Sequence, residues 1–314
     1  MRVAVTGGTG FVGRYLARAL PADGHEVVLV ARGVDRRGTS ILASGARFVA
    51  ASTEDAGSLR RAFDGRDAVA HFAGINREIG AQTYERVHVR GTQAVVDAAR
   101  ATGARKLVYL SFLRARPTCG SAYHESKWAA EEIVRASGID HTILKSGVIN
   151  GRGDHLLDHV SRALYTFPFF PRVGRGPTRL RPVYVGDVVR LERAALVDQR
   201  LSRRTLAVLG PEELPAGDAI RRIAAAVGRE VVVVPAPVWV HRIFAWLFER
   251  AMTVPLVAAA QVRILSETLT EPLPFAERPP DDLAPSTMFS VERIRSELPP
   301  DGPFGLRDLR LFQR

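Results

Sequence analysis

Short apolar runs alternate with stretches whose apolar residues recur three and four apart through the first half of the chain. The runs Arg2–Thr6, Glu26–Ala31, Ala46–Ala50, Ala68–Phe72, Lys106–Ser111 and His141–Leu144 predict strands. Between them, Gly13–Leu20, Ser58–Phe63, Tyr84–Thr102 and Tyr123–Ser137 predict helices. The strand runs are apolar on both faces, as in a parallel sheet covered by helices on either side. Strands alternating with helices imply right-handed crossovers and an α/β fold with a doubly wound parallel sheet.

After Gly147 the rhythm changes. Gly151-Arg152-Gly153 and the Pro168–Pro182 stretch are rich in Gly, Pro and Phe and predict irregular loops over a ligand cleft. Val183–Ala195 reads as a strand-like piece running into a helix, and Leu206–Gly210 as a further strand. A helix near Asp218–Val227 follows, then Val231–Val234, the helix Val238–Met252 and a proline-rich, extended Glu271–Pro285. The expected organisation is a first domain over 1–150, to which 181–210 returns, and a smaller substrate region over 151–180 and 211–314.

The helix Val238–Met252 is apolar nearly all round: Trp239, Val240, Ile243, Phe244, Ala245, Trp246, Leu247, Phe248 and Met252 dominate it, and Arg242 and Glu249, seven apart, leave a narrow polar strip. Such a helix points first to burial in a core or a dimer contact. Contact with a membrane surface, or a lid over an apolar substrate, is the alternative.

Composition changes this picture little. The chain has 314 residues, 46% hydrophobic and 25% charged, an ordinary globular balance. Its net charge is +11 and its pI about 10.6. The basic residues are almost all arginine, the lysines being Lys106, Lys127 and Lys145, and they are scattered along the chain. No docking motif accompanies the charge, so no nucleic-acid partner is expected. Cys119 is the single cysteine, which rules out an internal disulfide and suits a reducing cytoplasm. Strand-like sequence from Arg2 onward gives no expectation of a signal peptide. The most apolar stretch, Val231–Phe248, is interrupted by Pro235, Pro237, His241 and Arg242, so no transmembrane helix is expected. A cytoplasmic location is expected, with a position peripheral to a membrane as the variant.

The candidate chemistry begins at the first strand. Val3-Ala4-Val5-Thr6 runs into Gly7-Gly8-Thr9-Gly10-Phe11-Val12-Gly13 and then a helical pattern. Gly7 would permit a turn of unusual φ, Gly10 close approach of backbone to a pyrophosphate, and Gly13 close packing of helix on strand. The free N–H groups at the helix start would face the phosphates. Gly7, Thr9, Gly10, Phe11, Val12 and Gly13 are therefore candidate dinucleotide-binding residues in a Rossmann-like domain. A second constellation lies in the helix over Tyr123–Ser137. Tyr123 and Lys127, four apart, share a face. An ammonium beside a phenol stabilises phenolate and lowers its pKa, so that Tyr123 could exchange a proton with a substrate carbonyl or alcohol.

Together these residues resemble a known family. Thr6–Gly13, His71-Phe72-Ala73-Gly74 and Tyr123-x-x-x-Lys127 look like the extended or atypical short-chain dehydrogenase/reductases. Leu144–Gly151 resembles that family's Arg-Pro-Gly segment, Arg181–Val188 its Pro-Val-x-Val-x-Asp-Val segment, and Leu209–Glu212 with Ala224–Arg229 its late strand and helix. The nearest subgroup is the sugar-nucleotide epimerase-like proteins that include the Rossmann-type accessory subunit of respiratory complex I. The resemblance implies that Ala73 and Gly74 also lie against the cofactor, and that Tyr123, Lys127 and a hydroxyl from the turn after the fifth strand form the catalytic set.

Three positions depart from the family pattern. The usual hydroxyl position is Leu113, which leaves Ser111 as the candidate and Thr118 or Ser121 as substitutes. The Asn that clamps the cofactor is His88, and the acidic residue near the end of the third strand is Ser52. The second strand ends at Ala31-Arg32 with no carboxylate for a ribose 2′-OH. Arg32, followed by Arg36 and Arg37, suits a 2′-phosphate, which points to NADP, with NAD as the alternative. His155 and His159, with Asp154 and Asp158, read as a solvated helix start and not a metal site. The expected function is a hydride-transferring oxidoreductase or epimerase-like enzyme acting on a small, possibly apolar, substrate; the rival is a non-catalytic dinucleotide-binding accessory or sensor protein.

Overall fold

The computed structural model describes residues 1–33, 45–252, 262, 263, 265–299 and 302–305. The chain divides into two units: Met1–Ser146 with Val185–Val208 and Pro272–Ala284, and Gly147–Tyr184 with Leu209–Glu271 and Pro285–Arg314.

The first unit is built on a seven-stranded sheet. Its strands are β1 (Arg2–Thr6), β2 (Glu26–Ala31), β3 (Arg47–Ala50), β4 (Ala68–His71), β5 (Lys106–Phe112), β6 (Asp140–Ser146) and β7 (Arg204–Val208). They lie in the order β7-β6-β5-β4-β1-β2-β3, every neighbouring pair parallel. Strand order reverses beside β1, so the C-terminal ends of β1 and β4 open a crevice of the kind in which such sheets bind ligands. The helices are α1 (Phe11–Ala22), α2 (Ala56–Phe63), α3 (Gly91–Ala101), α4 (Ala122–Ala136) and α6 (Val185–Val197). Val28, Val30, Leu59, Phe63, Val69, Val95, Leu107, Val134 and Ile143 form one apolar core against the sheet. Fold class and topology are those the apolar periodicity predicts.

Two local findings differ from the sequence reading. The helix expected over Tyr84–Thr102 begins as a π-helical turn, Glu85–Arg90, before α3. The segment Pro272–Ala284, assigned above to the second region, belongs to the first unit. Glu277 exchanges backbone hydrogen bonds with Thr205 and Ala207 of β7, and Phe275 stands edge-on to Trp128 of α4 with centroids 4.8 Å apart. Local composition marks this segment as extended, but its partners lie far away in sequence.

The second unit contains α5 (His155–Thr166), α7 (Ala216–Val227), α8 (Val238–Ala251) and α9 (Val291–Glu297). Its longest ladder pairs Phe169–Val173 in parallel with Val232–Ala236. Asp154 caps α5, accepting from the N–H groups of Gly151 and Leu157 at 2.6 Å each, while His159 bonds the His155 carbonyl. The helix start expected of the His155 segment is present, but it is not solvated: Asp154 and His159 are buried. Among the described residues no helix is long and apolar enough to cross a membrane, and no group of three His, Cys, Asp or Glu could hold a metal ion. α8 departs from full burial: His241 and Ala245 are buried, and Trp239, Ile243, Phe244, Trp246 and Leu247 are exposed.

Candidate functional site

The turn after β1 is set by backbone crowding. Gly7 has φ +71°, and a Cβ there would stand 2.6 Å from the Ala73 nitrogen. Gly13 is tighter still, since its Cβ would lie 2.3 Å from the Gly7 carbonyl oxygen. A side chain at either position would force backbone apart. The Gly10 N–H donates to the Gly7 carbonyl at 2.9 Å and closes the turn, and Gly10 then precedes α1 without a side-chain cap. The first N–H groups of a helix have no partner within it, and α1 has no acidic residue in its first turn. Val12 is buried, Phe11 packs edge-on to Tyr15, and Thr9 is half-buried in the turn. A pyrophosphate fits this cradle of glycine backbone and helix start.

The same crowding carries the turn to the candidate catalytic pair. Gly7 abuts Ala73, and the next residue, Gly74, faces the helices beyond. A Cβ on Gly74 would lie 3.4 Å from His88 Nε2 and 3.6 Å from Lys127 Nζ. Gly7, Ala73, Gly74 and Lys127 therefore form one contiguous surface at the C-terminal ends of β1 and β4. Arg32 is exposed just past the end of β2, the strand whose Val30 carbonyl accepts from the Gly7 N–H at 2.9 Å. Arg36 and Arg37 lie outside the described residues.

Tyr123 and Lys127 are both buried on α4. The Tyr123 ring sits among aromatic neighbours: Tyr84, His88, Phe112 and His124 all have centroids within 5.8 Å of it. Burial, and then the nearby Tyr84 phenol, push its hydroxyl above the ordinary tyrosine range. This corrects the expectation that Lys127 lowers it. Lys127 donates instead to the Leu110 carbonyl at 3.0 Å and to the Tyr109 hydroxyl at 3.4 Å. Burial, with a smaller contribution from Lys145 and against the pull of Glu131, lowers the Lys127 ammonium to about 8.

Ser111 is committed to Glu131, one turn beyond Lys127 on α4. Its hydroxyl donates to Glu131 Oε1 at 2.5 Å. The same oxygen accepts from Lys145 Nζ at 2.6 Å, and Oε2 accepts from Arg135 at 2.9 Å. Leu113 is fully buried, and Ser121 is bonded to His124 Nδ1 at 2.6 Å. Thr118 has a left-handed backbone, φ 47°. Ser52 accepts from the Glu54 N–H in the turn before α2.

Several contributing residues were not singled out as site residues from the sequence. His88 Nε2 accepts from the Ile75 N–H at 3.1 Å, which leaves the proton on Nδ1, 2.9 Å from Ser126 Oγ. Ser126 donates on to the Tyr123 carbonyl, so His88 ties the loop after β4 to the first turn of α4. Burial first, and then Lys127, hold the His88 imidazole neutral. A second chain of hydrogen bonds lies beneath: Thr6 Oγ1 to His71 Nδ1 at 2.6 Å, His71 Nε2 to Thr92 Oγ1 at 2.9 Å, and Thr92 to the Tyr109 hydroxyl that Lys127 also meets. Burial and the Lys127 charge lower His71 to about 3. Register explains the chain, because Thr6 pairs with His71 and His71 with Tyr109 across β1, β4 and β5. The signal in the sequence is a polar residue near the C-terminal end of each of three apolar strands.

Residues 7–161 match the NAD(P)H-binding family. An uncharacterized protein of Mycobacterium tuberculosis is 30% identical over 238 residues, 76% of this chain and 24% of that protein. The ceramide reductase of Caulobacter vibrioides is 38% identical over 156 residues, 48% of this chain and 47% of that enzyme. The chain thus spans about a quarter of the first relative's length and about half of the second's. The mouse NADH dehydrogenase [ubiquinone] 1 alpha subcomplex subunit 9 is 26% identical over 298 residues, 93% of this chain and 79% of that subunit. Among solved structures, UDP-glucuronic acid 4-epimerase of Bacillus cereus, with UDP-glucuronic acid and NAD, superposes with a TM-score of 0.71 at 17% identity. That match covers 95% of this chain and 98% of the epimerase, and it shows a shared fold.

Proposed function

We propose that this chain, whose residues 7–161 form an NAD(P)-binding Rossmann domain and whose fold is that of epimerase/dehydratase-type short-chain dehydrogenase/reductases, is an NADP(H)-dependent oxidoreductase or epimerase-like enzyme. The observation that carries this reading is the contiguity of Gly7, Ala73, Gly74 and Lys127, with Tyr123 four residues before Lys127 on α4. When bound, the nicotinamide cofactor supplies a hydride donor or acceptor. The chain does the rest. The glycine turn and the start of α1 would hold the pyrophosphate, Arg32 would take the 2′-phosphate by charge-assisted bonds, and Lys127 would offer its ammonium to the ribose hydroxyls. Tyr123 holds a proton above neutral pH and so is set to donate it to a carbonyl oxygen; in the reverse direction the phenol must first lose that proton to water, a loss that a nearby cation favours by stabilising the phenolate. His88, by fixing the first turn of α4, positions Tyr123 and is not itself acid or base.

A carbonyl compound with an apolar chain is the substrate class we favour. The relative named ceramide reductase supports it, as does an apolar cleft in the second unit lined by Val148, Leu156, Val160, Leu180, Ile220 and Ile223. The single cysteine, Cys119, supports a reducing cytoplasmic setting. A second reading, a non-catalytic dinucleotide-binding accessory or sensor protein, is favoured by Leu113 at the hydroxyl position and by the commitment of Ser111 to Glu131.

Calorimetric titration and turnover over a panel of aldehydes, ketones, alcohols and sugar nucleotides test both readings. Gly10→Val should abolish dinucleotide binding. Arg32→Ala should weaken NADP(H) about tenfold or more, for a loss of about 1.5–3 kcal/mol, and spare NAD(H). Tyr123→Phe should keep cofactor affinity and lower turnover on the order of a hundredfold. Wild-type protein that binds cofactor and turns over nothing, or a Tyr123→Phe variant as active as its parent, would favour the accessory role.

A further inference from the structure

We propose that α8 is an interfacial helix whose outward face lies in the headgroup region of an anionic phospholipid bilayer. The helix has 14 residues and a well-defined inward strip. Ala245 is fully buried in a cluster with Val173 and Val262, with Val238 packed against it, and His241 bonds the Pro171 carbonyl at 3.1 Å. These contacts seat α8 on the strand pair of its own unit. The outward strip is Trp239, Arg242, Ile243, Trp246, Leu247 and Arg250, spaced i, i+3, i+4, i+7, i+8 and i+11 as one helical face requires.

On that strip Trp239 is 63% exposed, Ile243 50%, Trp246 52% and Leu247 44%, with Phe244 at 41% beside them. The strand pair adds exposed Phe169, Val232 and Val234 in the same unit. Single exposed apolar residues are ordinary, but a contiguous group of this size marks an interaction surface. Two tryptophans with two arginines, and a single carboxylate, Glu249, at the edge beside Arg242, is the composition of a helix lying in a membrane interface. Indole rings sit at headgroup depth, while arginines lay their stems along apolar surface and extend the guanidinium to phosphate. Arg250 already covers the Trp246 ring, its guanidinium 4.3 Å from the centroid. A helix of this length rises about 21 Å, too short to cross the hydrocarbon core but suited to lying along it.

Charge decides between a bilayer and a second copy of the chain. Pairing this face with itself would bring four arginines against only two carboxylates, Glu249 beside Arg242 on each copy, and would set two chains of net charge +11 against one another, which is unfavourable. An anionic surface satisfies all of them, and the chain's net charge of +11 adds a long-range attraction of the same sign.

Sedimentation of the full chain with vesicles of phosphatidylcholine, alone or mixed with phosphatidylglycerol, tests the proposal. The protein should sediment with the mixed vesicles and not with phosphatidylcholine alone. Lipids brominated in the acyl chain should quench the emission of Trp239 and Trp246 and leave that of Trp128. Trp239→Gln with Trp246→Gln should weaken vesicle binding tenfold or more without changing the circular dichroism or dinucleotide affinity. Arg242→Gln and Arg250→Gln should each weaken it roughly fivefold. Failure of the wild-type protein to bind mixed vesicles, equal binding to both compositions, or variants that bind as well as the parent would overturn it. A dimer seen by light scattering and lost in the tryptophan variant would assign the face to a second copy instead.

Discussion

α4 and α8 sort their side chains in opposite senses. α4, in the first unit, buries Lys127 and Glu131, and Lys145 of β6 joins them with no exposed surface. α8, in the second, leaves two tryptophans, an isoleucine, a leucine and a phenylalanine in solvent. Both run against the ordinary burial of those residue types. In α4 the compensation lies within the chain, since Glu131 accepts from Ser111, Arg135 and Lys145, and Lys145 also donates to the Ala115 carbonyl and packs on the Trp128 and Phe275 rings. In α8 nothing among the described residues covers the outward strip. A buried ion that is fully bonded is a finished feature of a fold, whereas an uncovered apolar face points to something outside it.

The sharpest way to break the comparison is to remove one partner of the buried pair. Glu131→Leu should cost about 3–5 kcal/mol in chemical denaturation, because Lys145 and Ser111 then stay buried with their acceptor gone. Adding Lys145→Met should recover most of that loss, since an apolar pair of similar size tends to be as stable as a buried ion pair. A loss below about 1 kcal/mol for Glu131→Leu would show that the pair does not hold this region.

Glu192 on α6 gives a smaller effect of opposite sign. It is buried with neither carboxylate oxygen hydrogen-bonded, and burial raises its pKa well above 4.5. The folded state therefore keeps a proton that the unfolded state releases. Its contribution to stability is full below the unfolded value of 4.5 and is lost as pH rises through the folded one. Glu192→Leu should stabilise the protein by about 1–3 kcal/mol at neutral pH and flatten this part of the dependence of melting temperature on pH. An unchanged profile would mean that Glu192 finds a partner in solution.

The smallest effect sharpens the contrast within α8. Trp246→Gln on the outward strip should leave stability within about 0.5 kcal/mol. Ala245→Leu, one residue away on the inward strip, should cost about 1–3 kcal/mol by overpacking. Equal losses at the two positions in thermal melts would show that the outward strip is covered after all.

By itself the sequence determined the elements and their order. β1, β2 and β4 are visible to within a residue, because each is a short apolar run closed by a turn. The glycines at 7, 10 and 13 declare a backbone constraint that local geometry alone enforces, and Tyr123 and Lys127 declare a shared helix face by spacing. What the tertiary structure decided were the partners. The sequence places Ser111 at the head of a turn, but only the packing of α4 on β5 and β6 brings Glu131 to its hydroxyl. His71 is one polar residue in an apolar run until strand register sets it between Thr6 and Tyr109. Pro272–Ala284 gives no local sign that it pairs with β7, and an all-round apolar α8 reads as core until the inward strip of His241 and Ala245 shows which side faces out. Periodicity and turn chemistry act over a few residues and can be read along a chain, whereas hydrogen-bond partners and exposure depend on contacts between residues tens of positions apart, and only the folded chain sets those.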